Sequence, residues 1–246
     1  MRNPVFRFKQ FELRHDQCAM KVGTDGVLLG AWANIDNDNS SVKRILDIGT
    51  GTGLIACMLA QRTKQHIHID AVEIDPAAAA QAAENAQNTP WANRLTIIPA
   101  DIRQFAFQTE HRYDLIVSNP PYFEHSLTNQ KHTKTIARHT KTLPIGDFWQ
   151  ICAHILTPQG KICVILPPEN EEKWQQHAHT HQFHLEQKTV VLALPNTPPK
   201  RLLLSWTKTP PTSPQHNALC IAQSTQRHDY TDEYVQLTKD FYLFVK

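Results

Sequence analysis

An apolar strand that breaks into three alternating glycines and resumes as a helix leaves few folds open to this chain. The run is Lys43-Arg44-Ile45-Leu46-Asp47-Ile48-Gly49-Thr50-Gly51-Thr52-Gly53-Leu54, with helical character up to Ala60. Strand, glycine turn and helix in that order open a doubly wound parallel sheet. Ligands of such sheets lie at the carboxyl ends of the strands, near the point where the strand order reverses. Glycine lets the backbone approach a ligand, and the helix behind it presents unbonded N–H groups. Six of the eight glycines fall in two short stretches, Gly23, Gly26 and Gly30, then Gly49, Gly51 and Gly53. Bare backbone is thus concentrated where a ligand can approach.

Residues 67–75 form a second strand that ends in carboxylates. Glu73 is placed to receive two ribose hydroxyls. Asp75, followed by Pro76, reads as a helix N-cap with proline at the first helical position, opening the alanine-rich helix 76–88. Residues 95–98 are a third strand with Asp101 at its end, where the carboxylate either bonds an adenine amino group or caps the turn at 102–107. The fourth strand, around residues 115–117, is short, β-branched and apolar, which suits burial on both faces. It runs directly into Asn119-Pro120-Pro121-Tyr122.

Two prolines stop that strand, because each fixes φ and removes an N–H. The tetrapeptide suits a planar NH2 group whose lone pair is delocalised. If the Asn119 side-chain oxygen and the Pro120 carbonyl accept its two N–H bonds, the lone pair turns towards an electrophile without a strong base. Tyr122 can stack on the flat group and hold it in line. A strand order of 3-2-1-4-5 sets the glycine turn and Asn119 on either side of one crevice. A nicotinamide cofactor would ask for glycine at the position held by Leu54. The spacing of Gly49, Gly51 and Gly53 after Asp47 instead resembles a turn that binds S-adenosylmethionine.

With 246 residues and 41% hydrophobic content, the chain can bury the core of one α/β domain. A net charge of +2 does not by itself imply nucleic acid, so any basic footprint must be local. Residues 126–141 carry Lys131, Lys134, Arg138, His139 and Lys141 with no acidic residue, directly after the Asn-Pro-Pro-Tyr turn. They form a candidate phosphate-binding loop. The five cysteines make no Cys-x-x-Cys pair and read as reduced thiols of a cytoplasmic protein. The chain starts without a signal pattern and has no apolar run of membrane-spanning length. His177, His179 and His181 invite a metal reading, but without a cysteine or carboxylate partner they read as polar helix surface. Among the remaining segments, 6–13 reads as a strand or bulged hairpin, and Thr24 or Asp25 as the cap of an apolar helix over 27–32. Residues 145–156 read as a helix, 161–166 as the fifth strand, 190–194 with 201–206 as a final antiparallel pair, and 231–244 as a packing helix.

Together these segments resemble the class I methyltransferases that modify amino nitrogens. The similarity is closer at Met20-Lys21-Val22-Gly23-Thr24-Asp25-Gly26-Val27-Leu28-Leu29-Gly30-Ala31-Trp32, preceded by His15-Asp16-Gln17-Cys18-Ala19. There the chain is similar to the bacterial tRNA(Val) adenine N6-methyltransferases, which modify the adenine 3′ of the anticodon. The resemblance implies an α/β Rossmann-like fold. Its sheet would be seven-stranded and mostly parallel, in the order 3-2-1-4-5-7-6, with helices on both faces. Residues 1–41 would form an extension on the cofactor side of a core over 42–246, in a single domain. It further implies S-adenosylmethionine as cofactor, contacted by Asp47, Gly49, Gly51, Glu73, Asp101 and Asn119. Lys21, Gly23 and Thr24 fall in the segment placed over that pocket, and Asn119, Pro120, Pro121 and Tyr122 hold the target base. The partner implied is the anticodon loop of a tRNA, with no metal, membrane or obligatory protein partner. Two rivals remain: a methyltransferase acting on a protein glutamine, whose carboxamide the same tetrapeptide suits, and an RNA-binding module without turnover.

Overall fold

A computed structural model describes residues 4–18, 20–35, 42–120 and 143–244. The phenylalanine-rich start folds as a hairpin, β1 (Val5–Arg7) and β2 (Glu12–Arg14), and leads to helix α1 (Thr24–Trp32). Then come β3 (Arg44–Ile48), α2 (Leu54–Arg62), β4 (His68–Glu73), α3 (Pro76–Gln87), β5 (Leu95–Pro99), α4 (Ile102–Gln108) and β6 (Tyr113–Ser118). Later in the chain lie α5 (Ile145–Ile155), β7 (Leu156–Leu166), α6 (Glu171–Thr180), β8 (His184–Leu192), β9 (Pro199–Thr207), β10 (Gln215–Cys220) and α7 (Asp232–Thr238).

The main sheet runs β5-β4-β3-β6-β7-β9-β8-β10. Counted from β3, this is 3-2-1-4-5-7-6 with one strand more. The expectation of seven strands is therefore corrected to eight among the described residues, because β10 joins the edge parallel to β8. Only β9 runs against its neighbours, β7 and β8. Alternate side chains of the central strands enter two separate cores. Ile45, Leu115 and Val117 pack on one face, Leu46 and Ile116 on the other. That two-sided burial is why these strands are apolar throughout.

Helix α1 lies close against α2. A Cβ on Gly26 would come within 2.8 Å of Leu54 Cδ2, and one on Gly30 within 2.8 Å of Met58 Sδ. Both glycines serve helix packing; Gly26 also lines a cavity, so only the reading of Gly30 as backbone bared for a ligand is corrected. The helix starts at Thr24 with Gly23 as its N-cap and no side-chain cap bond. Neither Thr24 nor Asp25 caps it; Asp25 instead pairs with Arg201 Nε at 2.8 Å. At the far ends, Arg62 donates to the carbonyls of Gly30 and Ala33. Buried Arg94 donates to those of Ala60, Lys64 and Ile67, so the last turns of α1 and α2 have partners.

Candidate active site

Strand register assembles the site. Ile48 of β3 lies opposite Val72 of β4 and Ser118 of β6, and Glu73 lies opposite Pro99 of β5. Gly49, Glu73 and Asn119, each the next residue outward, therefore emerge at three adjacent carboxyl ends. The Val72 carbonyl accepts from Gly49 N at 2.9 Å and Thr50 N at 3.2 Å. Buried Ser118 donates its hydroxyl to the Ile48 carbonyl at 2.8 Å, which fastens the end of β6 to the end of β3.

In the turn, Gly49, Gly51 and Gly53 have φ of +73°, +56° and +81°. This left-handed region costs a residue with a side chain about 1–2 kcal/mol. Glu73 braces the turn from β4: its Oε2 accepts from Gly51 N at 2.9 Å and its Oε1 from Asp75 N at 2.9 Å. A carboxylate has about four lone-pair positions, so both oxygens can still accept from a ligand. Asp47, expected at the cofactor, is instead fully buried beneath the turn, where its Oδ2 accepts from the Thr50 hydroxyl at 2.6 Å. Desolvation pushes its carboxyl up to about 7. Its place is to hold the turn from below.

Two cavities open above these strand ends. The larger, about 660 Å³, is walled by Gly49, Gly51, Glu73, Asp101, Asn119 and Pro120. Its rim includes Asp16, Gln17 and Cys18 from the segment after the hairpin. The smaller, about 320 Å³, is walled by Lys21, Gly23, Thr24, Lys200 and Arg201, and it shares Gly49, Gly51 and Asn119 with the first. Of the residues expected over the cofactor pocket, Lys21, Gly23 and Thr24 thus line the second cavity and not the one that holds Glu73 and Asp101. Of the two readings of Asp101, the structure shows the cap. The residue caps α4 by accepting from Arg103 N at 2.9 Å, and it also faces the larger cavity. The Arg103 guanidinium bonded to it holds its carboxyl below the usual range. Asp75 caps α3, accepting from Ala77 N and Ala78 N.

Pro121, Tyr122, Lys131, Lys134, Arg138, His139 and Lys141 lie outside the described residues. Sequence reading missed Arg103, Lys200 and Arg201. Arg103 could have been found as the basic residue two after a strand-end aspartate. Nothing local marks Lys200 or Arg201, which reach the site only through the position of β9.

Residues 29–167 match the family described as Methyltransferase small domain. Over 239 residues, 97% of this chain and 90% of the relative, the sequence is 45% identical to a tRNA1(Val) (adenine(37)-N6)-methyltransferase of Serratia proteamaculans. A protein of the same description from Parabacteroides distasonis is 43% identical over 243 residues, 99% of each chain. The chain belongs to this methyltransferase family. Its fold is shared at low identity by a predicted O-methyltransferase from Agrobacterium tumefaciens, with a TM-score of 0.66 and 19% identity over 88% of this chain and 96% of that one. It is shared also by TrmN from Thermus thermophilus, with a TM-score of 0.52 and 16% identity over 78% of this chain and 55% of that one. The larger cavity of the methyltransferase fits the cofactor S-adenosylmethionine. A Cβ on Gly49 or Gly51 would meet no atom of the described residues within 4 Å beyond its chain neighbours, so among these residues the space over the turn is open. Glu73 and Asp101 place carboxylates in the cavity's wall.

Proposed function

We propose that this methyltransferase methylates the N6 amine of an adenine in tRNA, the position-37 adenine of tRNA1(Val) named for its relatives. The observation that carries the reading is the place of Asn119, at the junction of the two cavities and beside the glycine turn. Glu73 receives the cofactor's ribose hydroxyls and Asp101 its adenine amino group, while Gly49 and Gly51 let the backbone come close. When bound, S-adenosylmethionine supplies a methyl group on a positively charged sulfur. The Asn119 amide oxygen and the Pro120 carbonyl accept the two N–H bonds of the target amine and draw its lone pair out of ring conjugation. Held in line, the amine needs no strong base.

The smaller cavity admits the target nucleotide. A base in an anticodon loop is unpaired and enters without opening a duplex. Asp25 is the one carboxylate among the lining residues of that cavity, and Arg201 is paired with it. Lys21 and Lys200 leave the cavity's balance positive, towards RNA phosphates. The reading places the protein with tRNA in the cytoplasm. Among the described residues, no helix is long and apolar enough to cross a membrane.

The test is cofactor carrying a labelled methyl group, offered in parallel to bulk tRNA and to protein extract from cells lacking this protein. Label in tRNA is expected. Label confined to protein would favour the glutamine-directed rival and overturn the reading.

A further inference from the structure

The segment after the hairpin, residues 14–18, is strapped to α3 by two buried amide side chains that the transfer reaction does not call for. Gln81 is 4% exposed. Its Oε1 accepts from Gln17 N at 3.1 Å and from the Cys18 thiol at 3.2 Å, and its Nε2 donates to Asp16 Oδ1 at 2.9 Å. One turn further, Asn85 is 2% exposed. It accepts from Arg14 N at 2.9 Å and donates to the carbonyls of Arg14 and Thr52, each at 2.9 Å. The last of these bonds reaches the glycine turn itself. Asp16, Gln17 and Cys18 line the same cavity as Glu73, Gly49 and Gly51. Two walls of that cavity, strap and turn, therefore hang from neighbouring positions on one face of one helix.

The bonds are directional. Each amide uses both a donor and an acceptor, so an apolar side chain of equal volume would fill the space but take these acceptors from Gln17 N and Arg14 N and this donor from the Asp16 carboxylate. We propose that Gln81 and Asn85 are positioning residues for the cofactor. They set strap and turn at fixed places relative to Glu73, and S-adenosylmethionine binds tightly only while the strap is docked. The inference rests on the larger cavity being the cofactor's seat.

A polarity swap in the full-length protein tests it. Gln81→Glu keeps the acceptor for Gln17 and Cys18 but sets a carboxylate against Asp16. Asp16→Asn in the same chain restores the bond with donor and acceptor exchanged. For Gln81→Glu, the calorimetric dissociation constant of S-adenosylmethionine should rise about tenfold or more. KM for the cofactor should follow while kcat at saturation changes far less, and amide hydrogen exchange over residues 14–18 should quicken. The double substitution should recover most of the affinity. Wild-type affinity in Gln81→Glu, or a loss that Asp16→Asn does not restore, overturns the proposal. If Gln81→Glu does not fold, the double variant decides: near-wild-type affinity supports the pairing and weak affinity refutes it. Glu73→Ala checks the underlying reading. Undiminished binding in that variant removes the cavity assignment, whereas loss there with none in Gln81→Glu removes only the positioning role.

Discussion

Replacing Gly51 by alanine separates the strain of the turn from the presence of a ligand above it. The φ of Gly51 is +56°, and an added Cβ meets no atom of the described residues within 4 Å beyond its chain neighbours. In the ligand-free protein the substitution therefore costs only the left-handed backbone, about 1–2 kcal/mol. The smaller entropy of the unfolded alanine chain offsets roughly 0.4–1 kcal/mol of that. The net is about 1 kcal/mol, or roughly 2–4 °C in Tm for a chain of this length. The same methyl group intrudes where the cofactor must lie against the turn. Overfilling a packed site by one methyl group costs about 1–3 kcal/mol, which is roughly five- to hundredfold in affinity. Thermal unfolding without ligand and calorimetric titration with S-adenosylmethionine measure the two parts separately. A modest fall in Tm with undiminished cofactor affinity would refute the reasoning, since it would mean that no ligand comes close above Gly51.

Asn119→Ala should lower kcat with tRNA by roughly ten- to hundredfold, the loss of a hydrogen bond worth about 1.5–3 kcal/mol to a group gaining charge; wild-type turnover would remove Asn119 from the chemistry. Asp47 has its carboxyl raised by burial from 3.8 to about 7. Between those values the folded protein keeps a proton that the unfolded chain releases, so this group's contribution to stability falls as pH rises and levels off above about 7. Asp47→Asn should flatten that slope in urea midpoints measured across the window, and an unchanged slope would contradict the burial argument. Arg94→Met leaves the carbonyls of Ala60, Lys64 and Ile67 without their donor. It should cost about 3 kcal/mol in urea unfolding, and a loss under about 1 kcal/mol would show that water replaces the guanidinium.

The parallel half of the sheet was legible because β3 and β6 are buried on both faces and are followed by residues that mark a strand's end, a glycine turn in one case and Asn119-Pro120 in the other. With the strand order of a doubly wound sheet, those ends bring Gly49, Glu73, Asp101 and Asn119 to one cavity. β10 was not legible. Four of its six residues are exposed, so no alternation marks it, and only its parallel pairing with β8 defines it. Gly30 was misread because a glycine that admits a neighbouring helix and one that admits a ligand look the same in sequence. Asp101 was left between two roles, of which the structure shows the cap of α4, with the carboxylate also lining the cavity. Asp47 sits beside the cofactor turn in sequence yet beneath it in space, a distinction that spacing cannot make. Lys200 and Arg201 are distant in sequence from α1, and only the return of β9 through the sheet brings Arg201 to Asp25.

The central claim, that a tRNA adenine presents its amine to the methyl donor at Asn119, is tested most directly by nucleoside analysis. Purified tRNA1(Val) is incubated with the protein and methyl-labelled S-adenosylmethionine, digested to nucleosides and resolved by mass spectrometry. The account predicts N6-methyladenosine as the labelled product, abolished when the adenine at position 37 is replaced by guanine. Label in any other nucleoside, or N6-methyladenosine that persists in the guanine-substituted tRNA, would contradict it.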